Sequence, residues 1–275
     1  MSFAVAYSRT NSGIEAKLVT VEVHITGGLP KTTIVGLAET AVKESKERVR
    51  SSLINMQFKF PPKRITINLA PADMPKTGGR FDLAIALAIL VASKQLNINN
   101  LQQYEFAGEL TLAGTLKPVK CILPFALATK KSGRTLIIPR ENATEASLVQ
   151  NLDFIVADNF LQVYAHLSNK KPLSTYNKIN TTSEVKHDSA LDINEVHGQH
   201  QAKRSLEIAA AGGHSILLNG PPGAGKTMLA SRLTTIMPPL TEEESQQTAI
   251  IHSISNNHYL DIKNWQKRPF RNPHH

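Results

Sequence analysis

Hydrophobic and polar positions alternate with two different periods along the first 167 residues, which predicts a mixture of strands and helices. Segments with the short apolar repeat of a strand are residues 18–25, 32–35, 64–69, 104–110, 135–138 and 153–156. Segments with helical periodicity are residues 41–53, 82–94, 124–132 and 143–149. The chain therefore begins with a domain in the α/β class.

Two of these helices have informative faces. In the helix at residues 41–53, the inward positions are Ala41, Val42, Ser45, Val49 and Leu53, and the positions expected to face solvent are Lys43, Glu44, Lys46, Glu47, Arg48 and Arg50. Residues 83–92 are apolar without interruption, which predicts a buried helix. This run is too short for the ~20 residues that span a bilayer, and we expect no membrane partner.

The composition changes after residue 168. Residues 169–190 are rich in Lys, Asn, Ser and Thr, which is typical of an exposed linker. Residues 191–275 begin a second domain, with a helix at 201–211, a strand at 214–218, a glycine-rich loop and a helix at 226–236. A further helix starts at Thr241, because Thr241 and Glu244 have the spacing of a capping box.

The loop between that strand and helix carries the clearest chemistry. Its sequence is Gly220-Pro221-Pro222-Gly223-Ala224-Gly225-Lys226-Thr227, which satisfies G-x-x-x-x-G-K-[ST]. Glycines allow the backbone N–H groups to converge on phosphate oxygens, and the helix that follows points its positive end at the same anion. Lys226 would contact the β- and γ-phosphates, and Thr227 would bind Mg²⁺. We therefore predict an ATP and Mg²⁺ site at these eight residues and the adjoining Met228.

Hydrolysis of the nucleotide requires a second acid at the end of a neighbouring strand. No aliphatic run ending in Asp-Glu follows Thr227, and the apolar residues 248–252 lack the acid. The sequence ends at His274-His275 before a nucleotide-binding sheet could close. We therefore expect a fragment of a longer protein that binds ATP, and leave open whether it is an ATPase.

The amino-acid composition indicates which kinds of binding partner and which cellular location to expect. Lys and Arg number 31 against 22 Asp and Glu, so the formal charge of +9 favours contact with a polyanion such as DNA. A generic basic surface explains the same charge. The single cysteine, Cys121, excludes an internal disulfide framework and a cysteine-based metal site. Residues 1–5 lack the features of a signal peptide, so we expect a cytoplasmic location.

Several surface residues are candidates for contacts with nucleic acid or nucleotide. The basic ones are Lys63, Arg64, Lys130, Lys131 and Arg134, and for each of them an ordinary solvated side chain is the favoured interpretation. Phe270 and Arg271 are candidates for stacking on a base, although Phe270 is equally compatible with a core position. Two adjacent histidines without a third ligand do not predict a metal site at the end of the sequence.

The second domain resembles the magnesium-chelatase-like branch of the AAA+ ATPases. The similar stretches are residues 196–199, 202–214, 240–244 and 268–275, together with the glycine-rich loop. This resemblance implies an α/β nucleotide-binding domain, incomplete in this sequence. It also implies that the turn of Val196, Gly198 and Gln199 contacts adenine.

The first domain, residues 1–168, is similar to the Lon-protease-like domain of the YifB/ComM family. The similar stretches are residues 28–30, 34–37, 42–50 and 68–83. The resemblance implies an α+β fold of the Lon-protease type and, for a full-length protein, a homo-hexameric motor. Because ComM members promote branch migration of DNA during natural transformation, DNA is the implied partner.

Peptidase chemistry is not expected from this first domain. Where Lon-type peptidases have the nucleophilic serine and the lysine general base, the corresponding residues are Arg80 and Leu123. A guanidinium cannot attack a carbonyl, and an isobutyl group cannot accept a proton. We expect Arg80 to form an ion pair with Asp82 at a helix start instead. An ATP-dependent peptidase and a magnesium chelatase subunit remain the alternative functions.

Overall fold

The computed structural model describes residues 2–98, 100–176, 191–255 and 265–272. By packing, the chain divides into two compact units. The first comprises Met1–Ile179 and Ile250–Leu260, and the second comprises Asn180–Ala249 and Asp261–His275. Most of the predicted linker, residues 177–190, lies outside the described residues. Its beginning is attached to the first unit, because the Tyr176 N–H donates to the carbonyl of Phe154 at 2.7 Å.

The first unit is built on a mixed β-sheet. The strands in chain order are β1 (Ser2–Ser12), β2 (Glu15–Thr26), β3 (Lys31–Val35), β4 (Arg64–Ala70), β5 (Tyr104–Phe106), β6 (Glu109–Leu110), β7 (Leu116–Lys117), β8 (Thr135–Pro139) and β9 (Phe154–Ala157). Seven of them form one sheet in the order β3-β4-β2-β1-β5-β8-β9, and β6 pairs with β7 separately. Strand β2 runs antiparallel to β1 and β4, and the other pairs in the large sheet are parallel. The predicted α/β class is confirmed.

The longest structural element absent from the prediction is β1. It pairs with β2 over its full length, from Ser2 opposite Ile25 to Ser12 opposite Glu15. The β1 positions that point into the core include Ala4, Ala6 and Ser8. Small side chains give a weak hydrophobic alternation, and the strand is specified by its pairing with β2.

Five α-helices lie wholly within the first unit among the described residues: α1 (Thr40–Asn55), α2 (Asp82–Ala92), α3 (Ile122–Lys131), α4 (Ala143–Ala146) and α5 (Phe160–Leu167). Helix α4 is shorter than predicted. Helix α5 was not predicted, although it has a standard start: the side chain of Asn159 accepts a hydrogen bond from the backbone N–H of Gln162 at 3.0 Å.

Helix α2 is the centre of the hydrophobic core, as its uninterrupted apolar run predicted. All but one of its residues are buried, and it packs against β1, β2 and α1. A helix that is apolar all round must be covered on every side. Four of the five inward positions predicted for α1, Val42, Ser45, Val49 and Leu53, are buried, and the fifth, Ala41, is partly buried.

One residue of the predicted solvent face of α1 lies elsewhere. Arg48 turns towards the start of α2, where its Nε donates to Oδ2 of the buried Asp82 at 2.9 Å. Burial raises the pKa of the Asp82 carboxyl, and the hydrogen bond from Arg48 opposes this rise. The expectation that Arg48 faces solvent is therefore wrong, because a buried carboxylate requires a cationic partner.

A second buried carboxylate, that of Glu105 in β5, links β5 to β1 and α3 through hydrogen bonds. It accepts hydrogen bonds from Arg9 at 2.6 and 2.8 Å, from Thr129 at 2.7 Å and from Arg134 at 3.0 Å. The Arg134 guanidinium also lies 4.3 Å from the centre of the Tyr7 ring. Arg134 is therefore held by Glu105 and Tyr7 and is not a freely solvated side chain, whereas its contact with a phosphate stays a prediction.

The predicted strand at residues 104–110 is split into β5 and β6. Between them, the Ala107 N–H donates to Ile137 while the Gly108 N–H donates to the carbonyl of Arg80, both at 3.1 Å. Gly108 also accepts from the Leu83 N–H at 3.2 Å. The chain leaves the large sheet here because the start of α2 takes over its backbone hydrogen bonds.

The second unit contains α6 (His200–Gly212), α7 (Lys226–Ile236) and the first part of α8 (Glu242–Ser255). The capping box is confirmed: the Thr241 N–H donates to the Glu244 carboxylate at 2.9 Å, and the Glu244 N–H donates to the Thr241 hydroxyl at 3.2 Å. No helix within the described ranges is long and apolar enough to cross a membrane.

The strand predicted at residues 214–218 is wrong. This segment has no regular secondary structure, and the side chain of Leu217 is 90% exposed. A strand is stabilised by hydrogen bonds to a neighbouring strand, and the described part of the second unit contains none.

Candidate functional site

The glycine-rich loop occupies residues 220–227 and leads directly into α7, whose first two residues are Lys226 and Thr227. Two positions in the loop have left-handed backbone conformations, Gly223 with φ of 81° and Gly225 with φ of 78°. An L-residue with a side chain is strained at these angles, whereas glycine adopts them readily. The N–H of Ala224 donates to Pro221 at 3.3 Å, which closes the turn between them.

The start of α7 presents unpaired donors. The first N–H groups of a helix have no intrahelical acceptor, and they carry the positive end of the helix dipole. Gly225, which precedes the helix, offers no side-chain acceptor, and the first turn of α7 contains no acidic residue. This end of α7 is therefore positive, and its donors are available to an anion.

The ammonium group of Lys226 lies over the same loop. Its Nζ is 2.8 Å from the carbonyl oxygen of Gly220 and 2.8 Å from that of Pro221, on the exposed side of the loop. The hydroxyl-bearing Thr227 and the thioether of Met228 are exposed beside it. A full positive charge, the helix dipole and several backbone donors therefore meet within eight residues, an arrangement that suits a polyphosphate.

A small hydrophobic cluster holds this loop in place. Its buried members are Val196, Leu206 of α6 and Leu229 of α7, and Ile216 and Leu218 pack against them. An exposed salt bridge between Glu195 and Arg232, at 2.9 Å, joins the turn before α6 to α7.

The turn at residues 196–199 is thereby fixed next to the glycine-rich loop. Val196 contacts the cluster one helical turn from Lys226, and Gly198 and Gln199 follow it with φ of 66° and 53°. The two segments that the sequence singled out for nucleotide binding are therefore neighbours in the second unit.

The residues at the positions of the Lon catalytic pair lie in the first unit. Arg80 lies two residues before the first residue of α2, and its Nη2 donates to the carbonyl of Lys120 at 3.2 Å. Leu123 is fully buried in α3. The predicted ion pair between Arg80 and Asp82 is wrong, because Asp82 points towards α1 and bonds to Arg48. Neither Arg80 nor Leu123 can act as a nucleophile or a general base.

Two family models match the chain. The model for "Subunit ChlI of Mg-chelatase" matches residues 21–142, and that for "Magnesium chelatase, subunit ChlI" matches residues 192–275. The second match includes the glycine-rich loop, α6, α7 and the turn at residues 196–199. The second unit therefore carries a magnesium-chelatase-like AAA+ domain.

Two curated relatives match this chain along its whole length. The chain is 50% identical to the competence protein ComM of Haemophilus influenzae and 47% identical to YifB of Escherichia coli, in each case over the whole chain and 54% of the relative. The chain belongs to the YifB/ComM family. It spans about half the length of these curated relatives.

A more distant similarity supports the fold of the first unit. The Lon protease of Mycoplasma mobile is 24% identical over 204 residues, which is 70% of this chain and 24% of that protease. This similarity agrees with the expected Lon-like fold of the first unit, and the assignment of Arg80 and Leu123 to the two catalytic positions stays a prediction.

The remaining predicted contact residues are exposed where the structure describes them, and their contact with nucleic acid or nucleotide stays a prediction. Lys63, Arg64, Lys130 and Lys131 are exposed, as are Phe270 and Arg271. Residues 274 and 275 lie outside the described ranges. Among the residues described, no group of three or more His, Cys, Asp or Glu side chains is arranged to hold a metal ion.

Proposed function

We propose that this chain binds ATP with Mg²⁺ at residues 220–227, and that a full-length protein of this family uses the nucleotide to remodel DNA. The observation that carries the proposal is the start of α7. There, two left-handed glycines, unpaired backbone donors and the Lys226 ammonium converge on one exposed loop. Both the geometry and the match to the magnesium chelatase model support a nucleotide at this place.

Each residue has a defined part in binding. The N–H groups of residues 223–227 and the dipole of α7 hold the phosphate oxygens. Lys226 exchanges its two carbonyl contacts for the β- and γ-phosphates, and the Thr227 hydroxyl holds the metal. Met228 lies against the phosphate end, whereas Val196, Gly198 and Gln199 contact the adenine. When bound, ATP supplies the phosphoryl group for transfer, and Mg²⁺ neutralises its charge.

We propose that these 275 residues bind ATP better than they hydrolyse it. Hydrolysis needs an acidic residue at the end of a strand next to the loop. The described part of the second unit contains no strand on which such an acid could stand. The relatives are about twice as long, so turnover belongs to a protein of their length.

DNA as the partner rests on the family and on charge. The Haemophilus influenzae relative is named a competence protein, and the present chain has a formal charge of +9. A basic protein associates readily with the phosphates of DNA. We propose that the full-length protein acts as a homo-hexameric motor on branched or single-stranded DNA in the cytoplasm.

The peptidase and chelatase alternatives receive less support. Arg80 and Leu123 lack peptidase chemistry, so a full-length family member should leave casein and fluorogenic peptides intact. The chelatase models match both parts of the chain, but the sheet unit is also similar to Lon proteases. Stimulation of magnesium insertion into protoporphyrin would favour the chelatase alternative.

Thermal unfolding with and without ATP and Mg²⁺ tests the binding step. At a nucleotide concentration about 100 times the dissociation constant, binding should stabilise the folded chain by about 2.7 kcal/mol. Lys226→Ala should remove this shift, and Thr227→Ala should remove its dependence on Mg²⁺. The matched control is Lys267→Ala, which removes another lysine of the second unit that is exposed to solvent. An equal shift in Lys226→Ala and in the control would contradict the role of Lys226.

The DNA step needs a separate experiment on a full-length protein. Unwinding of a branched DNA substrate should require ATP and should be lost in Lys226→Ala. If the protein binds nucleotide but does not act on DNA, the proposed ATP site stands and the proposed motor function is rejected.

A further inference from the structure

Among the residues that the structure describes, the first unit contains a buried cation without a counter-ion. Arg80 is only 8% exposed to solvent. Its Nη2 donates to the Lys120 carbonyl at 3.2 Å, while its Nη1 is buried and has no hydrogen-bond partner within the described part of the chain. A guanidinium remains charged in proteins, and a buried charge without a partner costs several kcal/mol.

The neighbouring acids are committed to other groups. Asp82 bonds to Arg48 at 2.9 Å and accepts the Leu110 N–H at 3.2 Å. Glu109 lies against Gly79, where an added Cβ would clash with its carboxylate, and its charge acts on Arg48. Glu145 accepts the N–H of Leu123 in α3 at 3.2 Å. Among the described residues, none of these carboxylates approaches Arg80 within 4 Å.

A second positive element lies beside Arg80. The Lys120 carbonyl that Arg80 holds comes two residues before α3, a ten-residue helix. The residue between them, Cys121, has a φ of 55° and provides no side-chain cap. The start of α3 therefore adds the positive end of its dipole to the charge of Arg80, although one of its donors, the Leu123 N–H, is already bound to Glu145.

A second unpaired polar atom lies at the same place. Burial raises the pKa of the Cys121 thiol, the nearby Arg80 charge opposes this rise, and the charge of Glu145 adds to it. The Cys121 thiol donates to the carbonyl of Ser253 at 3.5 Å. The Asn11 side chain is within hydrogen-bonding reach of the same sulfur. Its Oδ1 is buried and has no donor within the described residues. An unpaired donor, Arg80 Nη1, and an unpaired acceptor, Asn11 Oδ1, therefore both lie beside Cys121.

We propose that Arg80, Asn11 and the start of α3 form a binding site for a carboxylate with an adjacent hydrogen-bond donor. One guanidinium balances one negative charge, so a carboxylate suits the site better than a dianionic phosphate. A neighbouring N–H, as in an acylated amino acid or a chain end, would satisfy Asn11 Oδ1. This site is separate from the nucleotide loop and does not depend on the proposed ATP function.

Small probes test this site on the 275-residue chain. The probe is N-acetylglycine, which has a carboxylate next to an amide N–H. The comparisons are acetate, which lacks the amide, N-acetylglycinamide, which lacks the charge, and inorganic phosphate, all at constant ionic strength. At about five times its dissociation constant, N-acetylglycine should raise the Tm by about 2–4 °C. Acetate should act more weakly, and the amide and phosphate should have no comparable effect.

Variants connect this response to Arg80. Arg80→Met should abolish it, and without probe its Tm should equal or exceed that of the unchanged chain, because an unpaired buried charge is removed. Asn11→Leu should erase the preference for N-acetylglycine over acetate and retain the weaker response. The matched control Arg50→Met, on the exposed side of α1, should respond normally, as should Lys226→Ala.

Several results would overturn the proposal. These are an equal response to every anion, an unchanged response in Arg80→Met, or a crystal structure in which only water or a protein carboxylate occupies Nη1. If Arg80→Met fails to fold, Arg80→Lys decides the question: it should retain a reduced response to N-acetylglycine, and a full response would reject the role of the guanidinium.

Discussion

The two units of this protein differ in the size of the hydrophobic core that supports their candidate functional residues. In the first, α2 is enclosed by the sheet and by α1, and the core extends to α5. In the second, the glycine-rich loop rests on three buried residues, Val196, Leu206 and Leu229. The better packed unit is predicted to lack the catalytic side chains of Lon-type peptidases. The lightly packed unit retains every residue of a nucleotide-binding motif.

This difference shows that a motif and a core are specified separately. The loop owes its shape to glycine conformations and to the start of one helix, which require few distant contacts. The sheet owes its stability to side chains that are far apart in the sequence, such as Arg9 and Glu105. Substitutions should therefore have their largest effects on stability in the first unit, whereas the second should be sensitive mainly in its ligand response.

The largest expected loss follows from Glu105→Ala. This change leaves the buried Arg9 and the partly buried Arg134 without their shared carboxylate, and breaking a buried pair costs about 3–5 kcal/mol. Denaturant unfolding measures the loss. Glu141→Ala, which removes an exposed carboxylate, should have little effect. A loss equal to that of the control would show that the ion network does not stabilise the first unit.

Leu87→Ala tests the hydrophobic core of the first unit. Leu87 is fully buried in α2, so the truncation should cost about 2–5 kcal/mol through lost burial and a cavity. Leu217→Ala in the second unit is the matched control, because the same atoms are removed from an exposed side chain. If both changes cost the same in denaturant unfolding, the contrast between the two units fails.

Leu229→Ala tests the small cluster under the nucleotide loop. We expect a cost of about 2 kcal/mol, the low end for a buried leucine, because few neighbours surround it. Hydrogen exchange should accelerate in α6 and α7 and stay unchanged in α2. Acceleration in both places would mean that the two units unfold as one.

The smallest expected effect is a pH dependence from His166 in α5. Burial lowers the pKa of His166 below its ordinary value of 6.5, and its Nδ1 accepts the Leu173 N–H at 3.0 Å, which requires an unprotonated Nδ1. Below about pH 6.5 the unfolded chain takes up a proton more readily than the folded chain. The free energy of unfolding should therefore fall as the pH drops through this range.

His166→Asn should reduce that slope, because its amide oxygen can still accept a hydrogen bond without titrating. His200→Asn, which replaces an exposed histidine at the start of α6, should leave the slope unchanged. Urea unfolding between about pH 5 and pH 8 makes the comparison. Identical slopes in both variants would assign the pH dependence to other groups.

Local patterns predicted much of the fold. Alternation located β2, β3, β4, β8 and β9, and the continuous apolar run located α2. Failures occurred where the signal was not local. Strand β1 has small inward residues, and its identity depends on pairing with β2. The segment at residues 214–218 has the composition of a strand, but no partner strand is present among the described residues of its unit.

The candidate sites follow the same division. The glycine-rich loop was predicted from eight consecutive residues, and the structure adds its proximity to the turn at residues 196–199. The environment of Arg80 was predicted wrongly. Proximity in sequence suggested Asp82 as its partner, but the two side chains diverge at the start of α2 and Asp82 bonds to Arg48.

The sequence by itself determined the family and the α/β class, and it predicts the position of the glycine-rich loop and the absence of the Lon catalytic pair. These properties depend on residue identity and short-range spacing, since a glycine angle or a missing hydroxyl needs no distant partner. The tertiary structure alone decided which charges are paired, namely Arg9 with Glu105 and Arg48 with Asp82, and that Arg80 has no carboxylate partner among the described residues. Pairing in a buried environment depends on side-chain directions set by the sheet and helices together, and these directions are not encoded in any short stretch of the chain.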